Sequence, residues 1–321
     1  MHLVKDKIAN AKTIGNATEA RAKLVSKIAV HASAEGLNPT AIPELMLSRR
    51  SVPSYCASAT YEPGLILFFQ GKKRINVGKT TYLCGDSSLL LTSVNLPVVS
   101  QVIKASQEEP MLAMILRLNM TIVRELLSKE DFDSPGDSSD TRGMSVNVAS
   151  EEILNAFSRL MNLLDTPVDI PFLSGLIEHE IMYRVLRSSQ GKHLRAIATA
   201  GDQKNRVAKA AAWLKDNYAK PLRVEELAEL ARMGISTFHN HFRSLTAMSP
   251  IQYQKQIRLN VARQRMLSEG VDAATAAFAV GYESASQFNR EYSRFFGQPP
   301  MRDVRALLSP GAPKLESVGS L

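Results

Sequence analysis

Apolar positions along the chain change their period three times. Between residues 17 and 34, Leu24, Val25, Ile28 and Ala29 recur at helical spacing among Arg21, Lys23 and Lys27, and Gly36 ends the run. From Val52 to Leu118 the texture becomes short apolar runs cut by Gly, Pro and polar pairs: Leu65–Phe69, Tyr82–Leu83, Leu89–Leu91, Val98–Ile103 and Met111–Leu118. That texture predicts an antiparallel sheet or a small barrel. The polar stretch Ser128–Gly143, with Ser134, Pro135, Gly136 and Asp137, predicts a loop. Helices are expected over Glu151–Leu164 and Phe172–Ser188, separated by Pro167 and Pro171, and the segment Gly191–Asn205 is the expected domain boundary.

Beyond that boundary the helical period dominates. Val207, Ala210, Ala211, Leu214 and Tyr218 form one stripe, which Pro221 terminates. A short helix, Val224–Ala231, a tight turn at Arg232–Gly234 and a helix carrying Phe238, Phe242 and Leu245 follow, and two short helices about such a turn form a helix-turn-helix pattern. Many helical hairpins share this outline. Repetition strengthens it: Phe238 and Phe242 recur as Phe288 and Tyr292, again behind a short Ala-rich helix (Asp272–Ala279) and a turn at Gly281. Pro250 opens a long helix between the units, with Ile257, Val261 and Met266 on its apolar side. Two such units on a rigid connector can enter successive major grooves, which lie ~34 Å apart.

A length of 321 residues fits two domains, expected at 1–200 and 201–305 with a tail over 306–321. The net charge of +8 is uneven: residues 201–321 hold 17 Lys/Arg against 11 Asp/Glu, while the longer N-terminal part is nearly balanced. A basic excess on the helix-turn-helix part points to a polyanion partner, although a solvated basic face gives the same count. The two cysteines, Cys56 and Cys84, are too few for a disulfide framework and lack metal-ligand spacing, as expected in a reducing cytoplasm. No apolar run approaches the roughly 18–20 residues of a membrane span. The start of the chain, interrupted by Lys5, Asp6, Lys7 and Lys12, does not read as a signal peptide.

The strings VEELAELARMGISTFHNHFRSLTAMSPIQYQKQIRL (Val224–Leu259) and VGYESASQFNREYSRFFGQPP (Val280–Pro300) closely resemble the DNA-binding region of AraC-type transcription regulators. Gly281, Tyr282, Ser286, Phe288, Arg290, Tyr292, Gly297 and Pro300 fall at signature positions of that family. The resemblance implies double-stranded DNA as partner, with units at about 224–246 and 272–296 whose last helices lie in the major groove. The first reading helix then offers Ser236, Thr237, His239, Asn240 and Arg243, and the second Ala285, Ser286, Asn289, Arg290 and Arg294. Asn bonds adenine bidentately and Arg bonds guanine. One departure is Gly234, at the helix cap where the family usually has Ser; the cost is a few tenths of a kcal/mol, ~0.3. Phe238, Phe242, Phe288, Tyr292, Phe295 and Trp213 read as core, and Arg290 reads either as a DNA contact or as an internal brace. His239 and His241, two residues apart, point to different sides of a helix and do not form a metal site.

Upstream, the segments Gly64–Asp86, Leu96–Leu118 and Ile177–Ala198 resemble the N-terminal domain of one subgroup of the same family. The implied class is α+β: a small cupin-like β-barrel at about 52–127 with flanking helices at about 151–190, followed by the all-α tandem helix-turn-helix domain. The implied role is effector sensing and dimerisation, with RNA polymerase as a possible further partner and a small-molecule effector of unknown identity. Metal-dependent cupin enzymes need a His-x-His pair and a later His, and no His occurs between His31 and His179. No cofactor, metal or catalytic residue is expected, and Ser/His/Asp, Walker-type and GxGxxG arrangements are not found. Tyr55, Tyr61, Phe68, Phe69 and Tyr82 are candidates to line a pocket.

Cys56 and Cys84 could sense oxidants or electrophiles as thiolates, or simply pack as small hydrophobes. Glu178, His179 and Glu180 are adjacent on a predicted helix, so they diverge and read as a solvated or salt-bridged face. Two other function classes stay open at this point. One is an enzyme moving alkyl groups from DNA to cysteine; the other is a scaffold that uses helix-turn-helix units without binding DNA.

Overall fold

The computed structural model describes residues 22–129, 142–199 and 202–309. Most of the predicted loop at Ser128–Gly143 and of the tail lies outside the described residues. Residues 22–31 are helical (α1). Nine strands follow: β1 (Gly36–Pro39), β2 (Leu45–Arg50), β3 (Ala57–Tyr61), β4 (Gly64–Gln70), β5 (Lys72–Val77), β6 (Thr80–Cys84), β7 (Ser88–Thr92), β8 (Leu96–Lys104) and β9 (Met111–Arg117). Helix α2 (Met120–Lys129), strand β10 (Met144–Val148) and helices α3 (Glu151–Asn162), α4 (Ile170–Arg187) and α5 (Gly191–Ala198) complete this part. Sheet pairing therefore begins before Val52 and ends after Leu118, wider than the alternation predicts. Strand β1 has only four residues, including Asn38 and Pro39, and β2 ends in Ser48, Arg49 and Arg50, so polar residues mask their period.

The strands form two antiparallel sheets, ordered β1-β2-β9-β4-β7-β10 and β3-β8-β5-β6. Their arrangement is cupin-like, as two facing sheets. Strand β4 shows why the six-stranded sheet is central. Leu65, Leu67 and Phe69 point to one side and join Leu112, Met114 and Leu116 of β9 in a core with Phe157, Leu160, Ile181 and Met182 of α3 and α4. Phe68 points the other way, toward Ile75, Val77, Val98 and Val102 of the smaller sheet. A strand buried on both faces reads as a continuous apolar run, which is what Leu65–Phe69 is.

Helices α6 (Gln203–Asp216), α7 (Val224–Leu230), α8 (Ile235–Thr246), α9 (Pro250–Ser268), α10 (Ala273–Ala279), α11 (Ala285–Phe296) and α12 (Pro300–Leu308) build the C-terminal part. Within Gly191–Asn205, where the domain boundary is expected, Gly191–Ala198 form the helix α5, whose Leu194 and Ala198 join the core beneath α4.

The second face of the sandwich does not stop at the smaller sheet. Its apolar cluster continues through Val94, Leu96 and Met144 to Leu214, Phe242, Leu245, Met248 and Tyr253 of the helical part. Polar contacts pin the same seam: the Gly143 amide donates to Leu245 O at 2.7 Å, and Tyr253 OH donates to Asn95 O at 2.7 Å. Lys215 on α6 pairs with Glu62, which follows β3. Gly78 (φ +56°) lies so near this seam that a Cβ there would sit 2.5 Å from Ala247 O, leaving room for glycine only.

Tyr253 is fully buried, so removing its hydroxyl strands the Asn95 carbonyl without changing the packing. Urea unfolding of Tyr253→Phe is expected to show a loss of about 1 kcal/mol. The same change at exposed Tyr55 should leave the midpoint in place.

Candidate nucleic-acid interface

The two helix-turn-helix units are copies in outline but not in detail. In the first, α7 ends at the αL residue Arg232 (φ 52°), and α8 starts at Gly234, which provides no side-chain cap. In the second, α10 ends at Gly281 (φ 89°), and Ser284 caps α11 by accepting from the Gln287 amide at 3.3 Å. The reading helices end alike, on Ala247 (φ 60°) and Gly297 (φ 80°). The first unit thus holds Arg and Ala where the second has glycine, in a backbone region that costs a non-glycine residue about 1 kcal/mol or more.

Aromatic anchors set which side of each reading helix faces out. Phe238 and Phe242 are fully buried with ring centroids 5.4 Å apart, and Phe288 and Tyr292 repeat the pair at 5.4 Å. Trp213 and Phe295, also read as core, are only partly buried at the edges of these clusters. With those anchors inward, Ser236, Thr237, Asn240 and Arg243 are exposed on α8, and His239 is half-buried. On α11, Ser286, Asn289, Arg290 and Arg294 are exposed, and Ala285 is half-buried. On each helix the exposed residues lie away from the buried aromatic pair, whereas Ala285, three residues before Phe288 and seven before Tyr292, falls on the aromatic side. Gly234 leaves the first amides of α8 without a side-chain acceptor, and free helix N-terminal amides bind anions well.

The internal brace that sequence reasoning considered for Arg290 is supplied by other residues. Arg263 on α9 is buried and donates two bonds to Asp303 on α12, at 2.7 and 2.8 Å, while its guanidinium lies 4.3 Å from the Phe296 ring centroid. Tyr292 OH donates to the same carboxylate at 2.7 Å. Burial first, and this bond second, raise the Tyr292 pKa above the ordinary phenol value, so the hydroxyl keeps its proton. Sequence reasoning missed the pair. Its signal is a charged residue, Arg263, among the buried Leu259, Ala262 and Met266 of one helix.

The connector helix holds the two units together. Arg258 donates to Tyr218 O at 2.7 Å, Lys220 O at 2.8 Å and Ala219 O at 3.2 Å beyond the end of α6, and to Gly281 O at 2.9 Å in the second unit's turn. A Cβ on Gly281 would lie 2.1 Å from Ala219 O, so the turn packs directly on that backbone. Lys255 pairs with Glu291 at 2.8 Å, and Tyr282 OH donates to the same carboxylate at 2.8 Å. Burial pulls the Glu291 pKa upward, but bonds from Lys255, Tyr282 and Gln287 outweigh it and leave the pKa lowered.

With this geometry established, comparison with known proteins is decisive. Residues 41–193 match the family described as AraC-type transcriptional regulator N-terminus, and residues 227–306 match a helix-turn-helix domain. The chain belongs to the AraC-type transcription regulators. This AraC-type chain is 28% identical over 134 residues to the HTH-type transcriptional activator RhaS of Yersinia pestis (strain Pestoides F), covering 42% of the chain and 48% of that protein. It thus spans about half the length of the curated relatives it matches. Among solved structures, ToxT from Vibrio cholerae is similar with a TM-score of 0.56 at 14% identity, over 83% of this chain and 98% of ToxT. A ToxT structure with bound unsaturated fatty acid gives 0.52 at 12% identity, over 81% and 93%. At these identities the likeness is one of fold.

In the N-terminal part, a cavity of about 70 Å³ opens between the two sheets. Tyr61 and Phe68 line it, as the candidate list allowed. Phe69 faces the helices, Tyr55 is exposed, and Tyr82 OH bonds Met144 O at 3.0 Å.

The cysteines do not form a pair. Cys84 ends β6, and Cys56 lies just before β3, at the opposite edge of the same sheet. Three strand spacings separate those edges, roughly 14 Å, against a Cα separation under about 7 Å for a disulfide. Burial pushes the Cys84 thiol up to about 12, outweighing the nearby Lys73, so it is protonated and unreactive. Cys56 is exposed, with Sγ 3.8 Å from Gln101 Oε1. Of the adjacent trio on α4, Glu180 pairs with Arg159 and Arg184, and His179 Nδ1 lies 2.7 Å from Gly175 O. Glu178 departs from the expected solvated face: it is buried, and burial first, then Glu44, raise its pKa.

Asp303→Ala would strand the buried Arg263 charge and remove the acceptor of Tyr292. A loss of about 3–5 kcal/mol is expected in the unfolding of the helical part followed by circular dichroism. The same substitution at the exposed Asp272 should cost about 1 kcal/mol, the worth of a helix cap.

Proposed function

We propose that this protein is a sequence-specific DNA-binding transcription regulator whose N-terminal sandwich receives a small-molecule effector. The observation that carries the reading is the matched outward display of two polar-basic helix faces on units locked together through Arg258. Asn240, Arg243, Asn289 and Arg290 serve as base-edge contacts, and Ser236, Thr237, His239, Ser286 and Arg294 serve the backbone and flanking bases, with Ala285 offering only a methyl surface. Such a protein works in the cytoplasm, and RNA polymerase is its natural further partner.

The effector reading rests on the inter-sheet cavity and on the fatty acid in the similarly folded ToxT. Catalysis has less support. A DNA alkyl-transfer enzyme needs an activated thiol, whereas Cys84 is buried and protonated and Cys56 is an exposed thiol beside the Gln101 amide.

Homodimerisation is the third element. Val168, in the turn before α4, and Phe172 and Leu176 at the start of α4 recur every four residues, and the two last are 75% and 67% exposed. Gly175, beside them, has no neighbouring atom within 4 Å of where a Cβ would be. A second copy of the same helix, laid against this stripe, would bury it, and self-complementary patches of this kind build two-fold dimers.

Two measurements test these assignments. Genomic footprinting should give a site protected over roughly two helical turns on one duplex face. On that site Asn240→Ala and Arg290→Ala should each cost about 1–3 kcal/mol and relax base preference; wild-type affinity in both variants would remove the reading-helix assignment. In sedimentation, Phe172→Glu/Leu176→Glu should be a monomer at concentrations where the unaltered protein is a dimer.

A further inference from the structure

The side of α8 that carries the proposed base contacts does not end in solvent. Ser236, Asn240, Arg243 and Ala247 follow one another at intervals of four, three and four residues, so they line one side of the helix. Ala247 lies about 6 Å beyond Arg243 along the axis. There the sandwich begins: a Cβ on Gly78, in the turn between β5 and β6, would sit 2.5 Å from Ala247 O and 3.2 Å from its Cβ. The next residue of that turn is Lys79, which is exposed and forms no ion pair among the described residues. A second segment of the sandwich meets the same helix end, where the Gly143 amide donates to Leu245 O at 2.7 Å. The residue before it, Arg142, is exposed and lies 5.8 Å from the ring centroid of Tyr82 on β6. Both contacts therefore bring a cation to the end of the stripe.

We propose that the N-terminal sandwich itself takes part in binding DNA, with Lys79 holding a phosphate on the rim of the groove that α8 enters and Arg142 adding positive charge beside it. The inference rests on the DNA-binding reading above and adds a contact outside both helix-turn-helix units. Twelve residues make α8 about 18 Å long, against a major groove about 12 Å wide. A helix whose first turns reach base edges thus carries its last turn to the level of the phosphates. The carbonyls at a helix end are partly negative and repel phosphate, so α8 on its own ends unfavourably there. Lys79 and Arg142 reverse that sign. Their placement is fixed as well, because Gly78 fits against Ala247 without room for a side chain and the Gly143 bond holds the other segment. A lysine meets phosphate as a point charge and reads no base, so this contact adds affinity and leaves sequence preference alone.

The test uses the full chain and two duplexes, the footprinted site and a random sequence of about three helical turns, in fluorescence anisotropy titrations across a salt series. Lys79→Gln should weaken binding to both duplexes by the same factor, about threefold or more at low salt. The slope of log affinity against log salt should become shallower by about 0.9, the signature of one lost phosphate contact. Lys79→Arg should bind like the unaltered chain. Lys72→Gln is the control, because Lys72 is also exposed but stands at the other end of β5, roughly 16 Å away along the strand. It should leave affinity and slope in place. Both lysines are exposed, so the melting curves of all variants should coincide. Unchanged affinity and slope in Lys79→Gln, or equal losses in Lys79→Gln and Lys72→Gln, would overturn the proposal while DNA binding itself stands. A loss confined to the footprinted site would overturn phosphate as the target. If the unaltered chain binds neither duplex, the DNA-binding reading fails and this contact with it.

Discussion

Arg258 makes four hydrogen bonds to backbone carbonyls, three just beyond the end of α6 and one in the turn of the second unit. Carbonyls at helix ends lack intrahelical donors, so one guanidinium meets a need common to both units and thereby ties them to each other. The tie matters because two reading helices are useful together only at a fixed spacing. Helix α9 has 19 residues and is therefore roughly 28 Å long, close to the ~34 Å between successive major grooves. Arg258 lies near its middle. The Lys255–Glu291–Tyr282 bonds and the Arg263–Asp303 pair then fasten the second unit to the same helix, so α9 is a shared wall of both units as well as a spacer.

The two units differ in what supports them. The second has its own core of Ala276, Val280, Phe288, Tyr292 and Val304 closed against α9, while the core of the first merges with the sandwich. Local details run the same way. The first unit has an uncapped α8 and places Arg232 and Ala247 in the αL region; the second has the Ser284 cap and glycine at both turns. The first unit's local terms are the less favourable, and contacts to Asn95, Gly143 and Gly78 help to offset them. The sandwich thus packs directly on the first unit, while the core of the second closes against α9.

Legibility followed the strength of the period. The reading helices were legible to within a residue or two, because Phe238/Phe242 and Phe288/Tyr292 repeat with their turns and the apolar side fixes the polar one. The core strands β4, β7 and β9 were legible as apolar runs. Strands β1, β2 and β10 were not: β1 is too short for a period, β2 ends in Arg49 and Arg50, and β10 carries Ser145 and Asn147 on an edge. The braces were hidden for another reason. Arg258, Arg263 and Asp303 act across 11 to 40 residues of sequence, and no local pattern says which carbonyl or carboxylate a guanidinium will find. Lys73 was not legible either: it stands inward beside Ile75 and Val77 on β5, a placement that only the packing shows, as it shows that the neighbours leave a space.

That space lies on one particular side of the six-stranded sheet. Toward the helices, Leu65, Leu67, Leu112, Met114 and Leu116 are all large and fully buried, as close packing favours. Toward the smaller sheet, the corresponding positions include Gly64, Ala113 and Ser48, whose small size leaves the cavity unfilled. A void lowers stability, so this face gives up packing that the other face keeps. It is also the face whose apolar cluster runs unbroken into Leu214, Phe242 and Leu245. The lining of the void and the seat of the first reading helix therefore belong to one continuous set of contacts.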